Sequence, residues 1–195
     1  GYSVTVFEAM EKAGGMLRYG VPDYRLPPLV IDSGIEQIQA LGVELRTGKT
    51  WGKDFRLEDL RRQGFAATVV AIGAWTGQSM GVEGEDRDGV WSGIAMLEKA
   101  NKGETLKLGK KVVVVGGGNT AIDCARTALR QDAEEVSIVY RRSRAEMPAN
   151  PEEIHEAEEE GIKMLFLTAP VSFSGSGKTI NMHCVRMRLG EPDAS

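Results

Sequence analysis

The residues with the clearest chemical potential in this chain are glycines. Lys111-Val-Val-Val-Val-Gly116-Gly117-Gly118-Asn119-Thr120-Ala121 fits the pattern G-x-G-x-x-A. Gly116 makes a tight bend, Gly118 lets a pyrophosphate approach the backbone, and Ala121 lets helix and strand pack closely. Unpaired N–H groups at the helix start, with the helix dipole behind them, form an anion site without any basic side chain. Gly117, Asn119 and Thr120 belong to the same turn, and a structural strand-to-helix turn without a ligand is the alternative. The next strand, Glu134 to Tyr140, runs into Arg141-Arg142-Ser143-Arg144, where a site for a ribose 2′-OH would carry a carboxylate. No acid stands there. Guanidinium groups suit a 2′-phosphate through forked, charge-assisted bonds, so Arg141 and Arg142 favour NADP(H) over NAD(H), with a solvated basic turn as the alternative. No side chain reads as a general acid, base or nucleophile, as expected where cofactors perform the chemistry, so no catalytic residue and no metal ligand is assigned.

The elements that position this site follow from the apolar pattern. Four β-branched residues before Gly116 predict a strand buried on both faces, and the Ala/Ile/Ala/Leu spacing after Gly118 predicts a helix. Asn150-Pro151-Glu152-Glu153 predicts a helix start with a capping Asn, Pro at the first position and acids against the dipole. His155 and the acid run to Glu160 read as a solvated face. Ile162 to Leu167 predicts a third strand, and Ala169 to Phe173 with Ile180 to Leu189 predicts a hairpin around Ser174-Gly175-Ser176-Gly177.

Upstream, Tyr2 to Phe7 predicts a strand ending at Glu8, where a nucleotide-binding sheet holds adenosine ribose hydroxyls. Gly14 to Pro27 is too rich in glycine, proline and aromatics for a helix or regular strand and reads as a binding loop. Pro28 to Leu41 predicts a helix with Leu29, Ile31, Ile35, Ile38 and Leu41 on one face, and Val43 to Arg46 a strand. Asp54 to Gln63 predicts a helix, and Ala66 to Ala74 a buried strand entering a small-residue turn. Residues 81–105 read as a connection containing a helix from Val90 to Ala100. The expected fold class is α/β, with two Rossmann-like dinucleotide-binding domains, 1–105 and 106–195.

The 195 residues are 42% hydrophobic and 27% charged, within the range of ordinary globular chains. A net charge of −4 and a pI near 5.4 argue against a general nucleic-acid or anionic-membrane binder. No apolar run approaches the ~18 residues of a membrane span. Two cysteines, Cys124 and Cys184, make neither a C-x-x-C pair nor a disulfide framework, which points to a reducing cytoplasm. The chain opens on a glycine leading straight into a strand and stops in a loop, so it reads as an internal piece of a longer polypeptide.

With these residues laid out, the chain resembles the small (beta) subunit of NADPH-dependent glutamate synthase. It is similar also to the NADPH-side flavoprotein part of dihydropyrimidine dehydrogenase and to flavoprotein subunits of NADPH:ferredoxin-type reductases. The resemblance runs over essentially the whole chain. Its carriers are Phe7-Glu8-Ala9, Gly14-Gly15-Met16-Leu17-Arg18-Tyr19-Gly20-Val21-Pro22 with Arg25-Leu26-Pro27, and Ala71-Ile72-Gly73-Ala74. To these are added Gly116 to Ala121, Val139-Tyr140-Arg141-Arg142-Ser143, and Gly190-Glu191-Pro192-Asp193-Ala194. The resemblance implies a fold of the pyridine nucleotide-disulfide oxidoreductase type, built of three-layer ββα domains, both incomplete here. It implies FAD and NADPH as cofactors, with hydride passing to flavin and electrons leaving through iron–sulfur clusters held in an amino-terminal domain outside this chain. It further implies a large glutamate synthase-type subunit, or another electron-accepting subunit, as partner. In that family Glu8 holds FAD ribose. Gly15, Leu17, Arg18, Gly20, Pro22 and Arg25, with Ala71, Gly73 and Ala74, line the flavin. Gly116 to Thr120 hold the pyrophosphate of NADPH, and Arg141 and Arg142 its 2′-phosphate. Ala71-Ile72-Gly73 departs from the family's Ala-Thr-Gly, losing a hydroxyl and keeping the glycine. The rival readings are a non-catalytic NADP(H)-binding or scaffold module and a flavin-free dehydrogenase. The loop from Gly14 to Pro27 disfavours the former, because a sensor needs no second nucleotide site. The want of a proton-transfer residue disfavours the latter.

Overall fold

A computed structural model of the chain describes residues 1–176 and 179–191. By internal contacts these form two units, Gly1–Trp75 and Thr76–Ser195. In the first, β1 (Thr5–Phe7) and β2 (Glu44–Arg46) pair in parallel, Thr5 opposite Glu44 and Phe7 opposite Arg46. The crossover between them carries α1 (Gly15–Tyr19) and α2 (Pro28–Ala40), and α3 (Leu57–Arg62) follows β2. Phe7 packs on Phe55 at 4.8 Å and edge-on to Phe65 at 6.0 Å, and Leu60 is buried nearby in the sequence.

Three expectations for this unit change. The Gly14–Pro27 stretch contains a short helix, α1: Gly14 (φ 127°) and Gly15 (φ 52°) reverse the chain, and Met16 to Tyr19 are adequate helix formers. Gly20 N–H closes it by donating to the Met16 carbonyl at 2.9 Å. Ala66 to Ala74 is neither a strand nor buried; Val69 is 87% and Ile72 66% exposed. A β-branched run forms a ladder only where another strand presents its edge, and no described residue does so here. On α2 only Ile31 is buried, while Leu29, Ile38 and Leu41 are exposed. Spacing fixes which residues share a face, not whether a neighbour covers it.

In the second unit β3 (Lys111–Val115), α5 (Asn119–Arg130), β4 (Glu135–Val139), α6 (Pro151–Glu159) and β5 (Lys163–Leu165) alternate. The strands form a parallel sheet in the order β3-β4-β5, with Val112 opposite Val136 and Ile138 opposite Met164. Ile122, Ile138, Val136 and Leu97 form the centre of the core. Eight consecutive residues of α5, Ala121 to Ala128, are buried, Asp123 and Arg126 among them. Arg126 ion-pairs with Glu153 at 3.1 Å, Glu156 at 2.6 Å and Glu160 at 2.8 Å, tying α5 to α6. α6 begins as its sequence predicts, with the Asn150 Oδ1 accepting from Glu152 N–H at 3.1 Å and Pro151 in the first turn. β6 (Thr168–Ser176) and β7 (Thr179–Arg186) make an antiparallel hairpin. Gly177 of the expected turn and Pro192 to Ala194 of the carboxy-terminal motif lie outside the described residues.

α4 (Gly93–Asn101) groups with this unit because Met96 and Leu97 bury in its core. The contact division therefore falls after Trp75, whereas the sequence pattern placed a boundary at 105/106. Among the described residues no helix is long and apolar enough to cross a membrane, and no group of three or more His, Cys, Asp or Glu could hold a metal ion.

Candidate functional site

The glycine turn lies between β3 and α5 at the carboxy-terminal end of the parallel strands, the place where open α/β sheets bind ligands. Gly116 has φ 145°, which only glycine adopts without strain, and its N–H donates to Val139 O at 3.0 Å. A Cβ on Gly116 would stand 3.1 Å from that of Ala121, the close helix–strand approach that the pattern anticipates. Gly118 caps the helix in extended conformation. Its carbonyl accepts from Ala121 and Ile122 N–H at 2.9 and 3.3 Å. Asn119 and Thr120, both exposed, occupy the first turn, where the helix offers their amides no acceptor. A Cβ on Gly118 would meet nothing closer than Pro148 Cγ at 4.0 Å, so this side of the turn is open to an anion. The main chain here fits a diphosphate.

The β4 end brings the basic turn beside it. Tyr140 N–H donates to Leu165 O at 3.0 Å and its carbonyl accepts from Thr168 N–H at 3.1 Å. A one-turn 3-10 helix, Arg144–Glu146, follows as a capping box: Ser143 Oγ accepts from Ala145 N–H, and Glu146 accepts from Ser143 N–H at 2.9 Å. The Glu146 carboxyl is held below its usual range, first by Ser143 and further by the Arg142 charge. Arg141 and Arg142 are exposed and ion-pair with no other described residue. Arg144 differs, being committed to Glu158. Two exposed guanidinium groups outside any ion pair, one strand-end away from an open glycine turn, could take up a 2′-phosphate such as that of NADP(H).

The 141–150 segment is also fastened to the turn. Ala149 N–H donates to Gly117 O at 3.1 Å, and Asn150 N–H to Asn119 Oδ1 at 2.8 Å. The Tyr140 ring lies against Gly117, where an added Cβ would come within 2.5 to 2.8 Å of three ring atoms. The contact of Tyr140 with Gly117 and the bond of the Asn119 side chain to Asn150 N–H were not anticipated from sequence. The only cue was the S-x-x-E spacing of Ser143 and Glu146, which marks a structured turn without saying what it touches. A groove of about 670 Å³ adjoins, lined by Ser143, Met147, Ala149, Pro151, Ile154 and Phe166 among others.

In the first unit Glu8, half-buried, follows β1 and accepts from Met10 N–H at 2.8 Å through Oε1. Gly15 has open space where a Cβ would stand, and Leu17 is 57% exposed, so this side of the loop is accessible. Gly20 and Pro22 are buried, and a Cβ on Gly20 would strike Met16 Cε. Arg18 is turned inward, with Nε donating to Ala13 O at 2.6 Å and the guanidinium ion-paired to Asp32, so it acts as a strut for the loop. Arg25 is half-buried, its N–H donating to Pro22 O at 3.0 Å. Ala71, Gly73 and Ala74 are exposed, with Gly73 at φ 69°. Trp75 Nε1–H donates to Ile72 O at 3.2 Å, and its ring meets Tyr19 at 5.9 Å.

Comparison with known proteins bears on both units. The family model described as pyridine nucleotide-disulphide oxidoreductase matches residues 6–191. The NADP(+)-dependent formate dehydrogenase subunit beta of Moorella thermoacetica is 47% identical over 100% of this chain and 28% of its own length. The glutamate synthase [NADPH] small chain of Escherichia coli K12 is 35% identical over 100% of this chain and 44% of its own. The chain thus spans less than half of the relatives it matches. FprA of Mycobacterium tuberculosis, solved in complex with NADPH, superposes with a TM-score of 0.82 at 18% identity, over 98% of this chain and 58% of that one. That likeness shows the fold.

Proposed function

Since the chain belongs to the pyridine nucleotide-disulphide oxidoreductase family, we propose that its second unit binds NADP(H) and its first unit lines the flavin of FAD. The observation that carries the reading is the pairing of an open glycine turn with Arg141 and Arg142, exposed and uncommitted. Amides of residues 117–120 and the dipole of α5 hold the diphosphate, and the two guanidinium groups hold the 2′-phosphate. Glu8 accepts from FAD ribose hydroxyls, and Gly15, Leu17, Gly20, Pro22 and Arg25, with Ala71, Gly73 and Ala74, shape the flavin side. Arg18 serves by bracing that loop. The bound nucleotides supply the hydride chemistry, and the chain's residues orient them. In the whole protein electrons pass on through iron–sulfur clusters to a partner, either a large glutamate synthase-type subunit or another electron acceptor. The division of labour, 1–105 for FAD with 81–105 as connection and 106–195 for NADPH, belongs to the same proposal, α4 being a piece of connection that braces α5.

The test is coenzyme titration of the full-length protein. Anaerobic NADPH bleaches a flavin absorption band, and replacing Arg141 and Arg142 together by Ala weakens NADPH binding by about 10- to 100-fold, as expected for lost charge-assisted bonds, while NADH binding hardly changes. A colourless protein refutes the flavin side. Equal loss for both coenzymes refutes the assignment of the arginines.

A further inference from the structure

The two halves of the coenzyme site are mechanically joined by one side chain. Tyr140 presses its ring on Gly117, the middle of the diphosphate turn, and donates its hydroxyl to the Glu146 carbonyl at 2.7 Å. Glu146 in turn closes the capping box on Ser143, the residue after Arg142. The main chain of Tyr140 is fixed on its other side by Leu165 and Thr168. Shifting the 3-10 turn therefore pulls on the hydroxyl, and shifting the glycine turn presses on the ring. A 2′-phosphate and a 5′-diphosphate are tethered to one ribose, so they bind together only if their two cradles stay within the span that this ribose allows.

We infer that Tyr140 is a positioning residue for coenzyme selection: it sets the separation of the glycine turn and the arginine turn, and through it the preference for a 2′-phosphorylated nucleotide. This rests on the NADP(H) reading above. Its ring and its hydroxyl have separable duties. The ring shapes the diphosphate cradle, used by both coenzymes, and the hydroxyl holds the arginine turn, used by NADP(H) alone.

The experiment measures equilibrium binding of NADPH, NADH, 2′,5′-ADP and 5′-AMP to the full-length protein and its variants. Tyr140→Phe keeps the ring and is expected to weaken NADPH and 2′,5′-ADP about fivefold, the worth of one neutral hydrogen bond, with NADH and 5′-AMP unchanged. Tyr140→Leu is expected to weaken NADPH and NADH alike through the loosened diphosphate turn, on top of that loss. In an Arg142→Ala background Tyr140→Phe should have little further effect, because the turn it steadies then has less to offer. Tyr140→Phe binding all four ligands as wild type does, or losing NADH and NADPH equally, overturns the inference and leaves the arginine assignment standing. A wild-type protein that binds 2′,5′-ADP no better than 5′-AMP overturns the NADP(H) reading itself.

Discussion

Gly117 and Gly118 are adjacent glycines whose replacement by Ala should have opposite consequences. At Gly117 a methyl would lie 2.5 Å from Tyr140 Cε2, against the 3.4 Å at which ordinary contact begins, so ring and turn must separate by about 0.9 Å. The ring cannot swing aside freely, being anchored by its hydroxyl and by main-chain bonds on either side of its Cα. Overpacking of this kind costs about 1–3 kcal/mol, and about 2 kcal/mol is expected here, because relief requires breaking one hydrogen bond. The φ of Gly117 is not in the left-handed region, so the effect is one of space alone. At Gly118 the nearest atom is 4.0 Å away and the backbone is extended, so Ala should cost at most about 1 kcal/mol as a poorer cap. Its methyl, however, stands on the side from which the proposed diphosphate would approach. Thermal unfolding and NADPH titration of both variants separate the cases: Gly117→Ala lowers the unfolding midpoint by several degrees, while Gly118→Ala melts near wild type and binds NADPH at least about tenfold more weakly. A Gly117→Ala protein as stable as wild type, or a Gly118→Ala protein with undiminished affinity, would refute this account of the turn.

Other parts of the second unit are open to equally direct tests. Arg130 and Arg126 hold the Glu160 carboxyl down to about 2, against burial that raises it. Because the folded value is depressed, its stabilisation is complete above about 4.5 and is lost as pH falls toward about 2; acid unfolding of Glu160→Gln should be less steep than wild type across that window. Arg126→Ala leaves Glu153 and Glu160, both half-buried, without this partner and should destabilise by about 1–3 kcal/mol in urea unfolding, between the scales for an exposed and a buried pair. Burial and the Asp123 charge push the Cys124 thiol up to about 12, whereas Cys184 is exposed. Iodoacetamide at pH 8 followed by peptide mapping should find label on Cys184 and none on Cys124 in the native protein.

The glycine turn was legible because its conformation is set by the main chain. A strand, three glycines and a small residue at fixed spacing leave few ways to fold, and Gly116, Gly118 and Ala121 stand as their spacing requires. The arginine turn was legible as a place, since strand β4 ends where its apolar run ends. Which arginines are uncommitted was not: Arg144 is paired through Glu158, fourteen residues on, a partnership set by the path of the loop to α6. The brace at Tyr140 was invisible for a similar reason, since a tyrosine after a buried strand packs somewhere in any sheet protein. In the first unit pattern misled beyond the uncovered face of α2. Val69, Val70 and Ile72 have strand composition and lie exposed, and Met16 to Tyr19 form a helix inside a glycine-rich loop. Composition encodes a local preference, and the ladder or the covering neighbour comes from elsewhere in three dimensions.

The guanidinium groups proposed to discriminate between coenzymes lie on the exposed surface, outside the core. Arg141 and Arg142 share no ion pair with the described fold, whereas the glycine turn is fastened to the 140–150 segment through Tyr140, Ala149 and Asn150. Descendants of such a scaffold can therefore exchange one dinucleotide economy for the other by substitutions on a solvent-facing corner, and selection for a new reductant supply need not be accompanied by compensating changes in the interior.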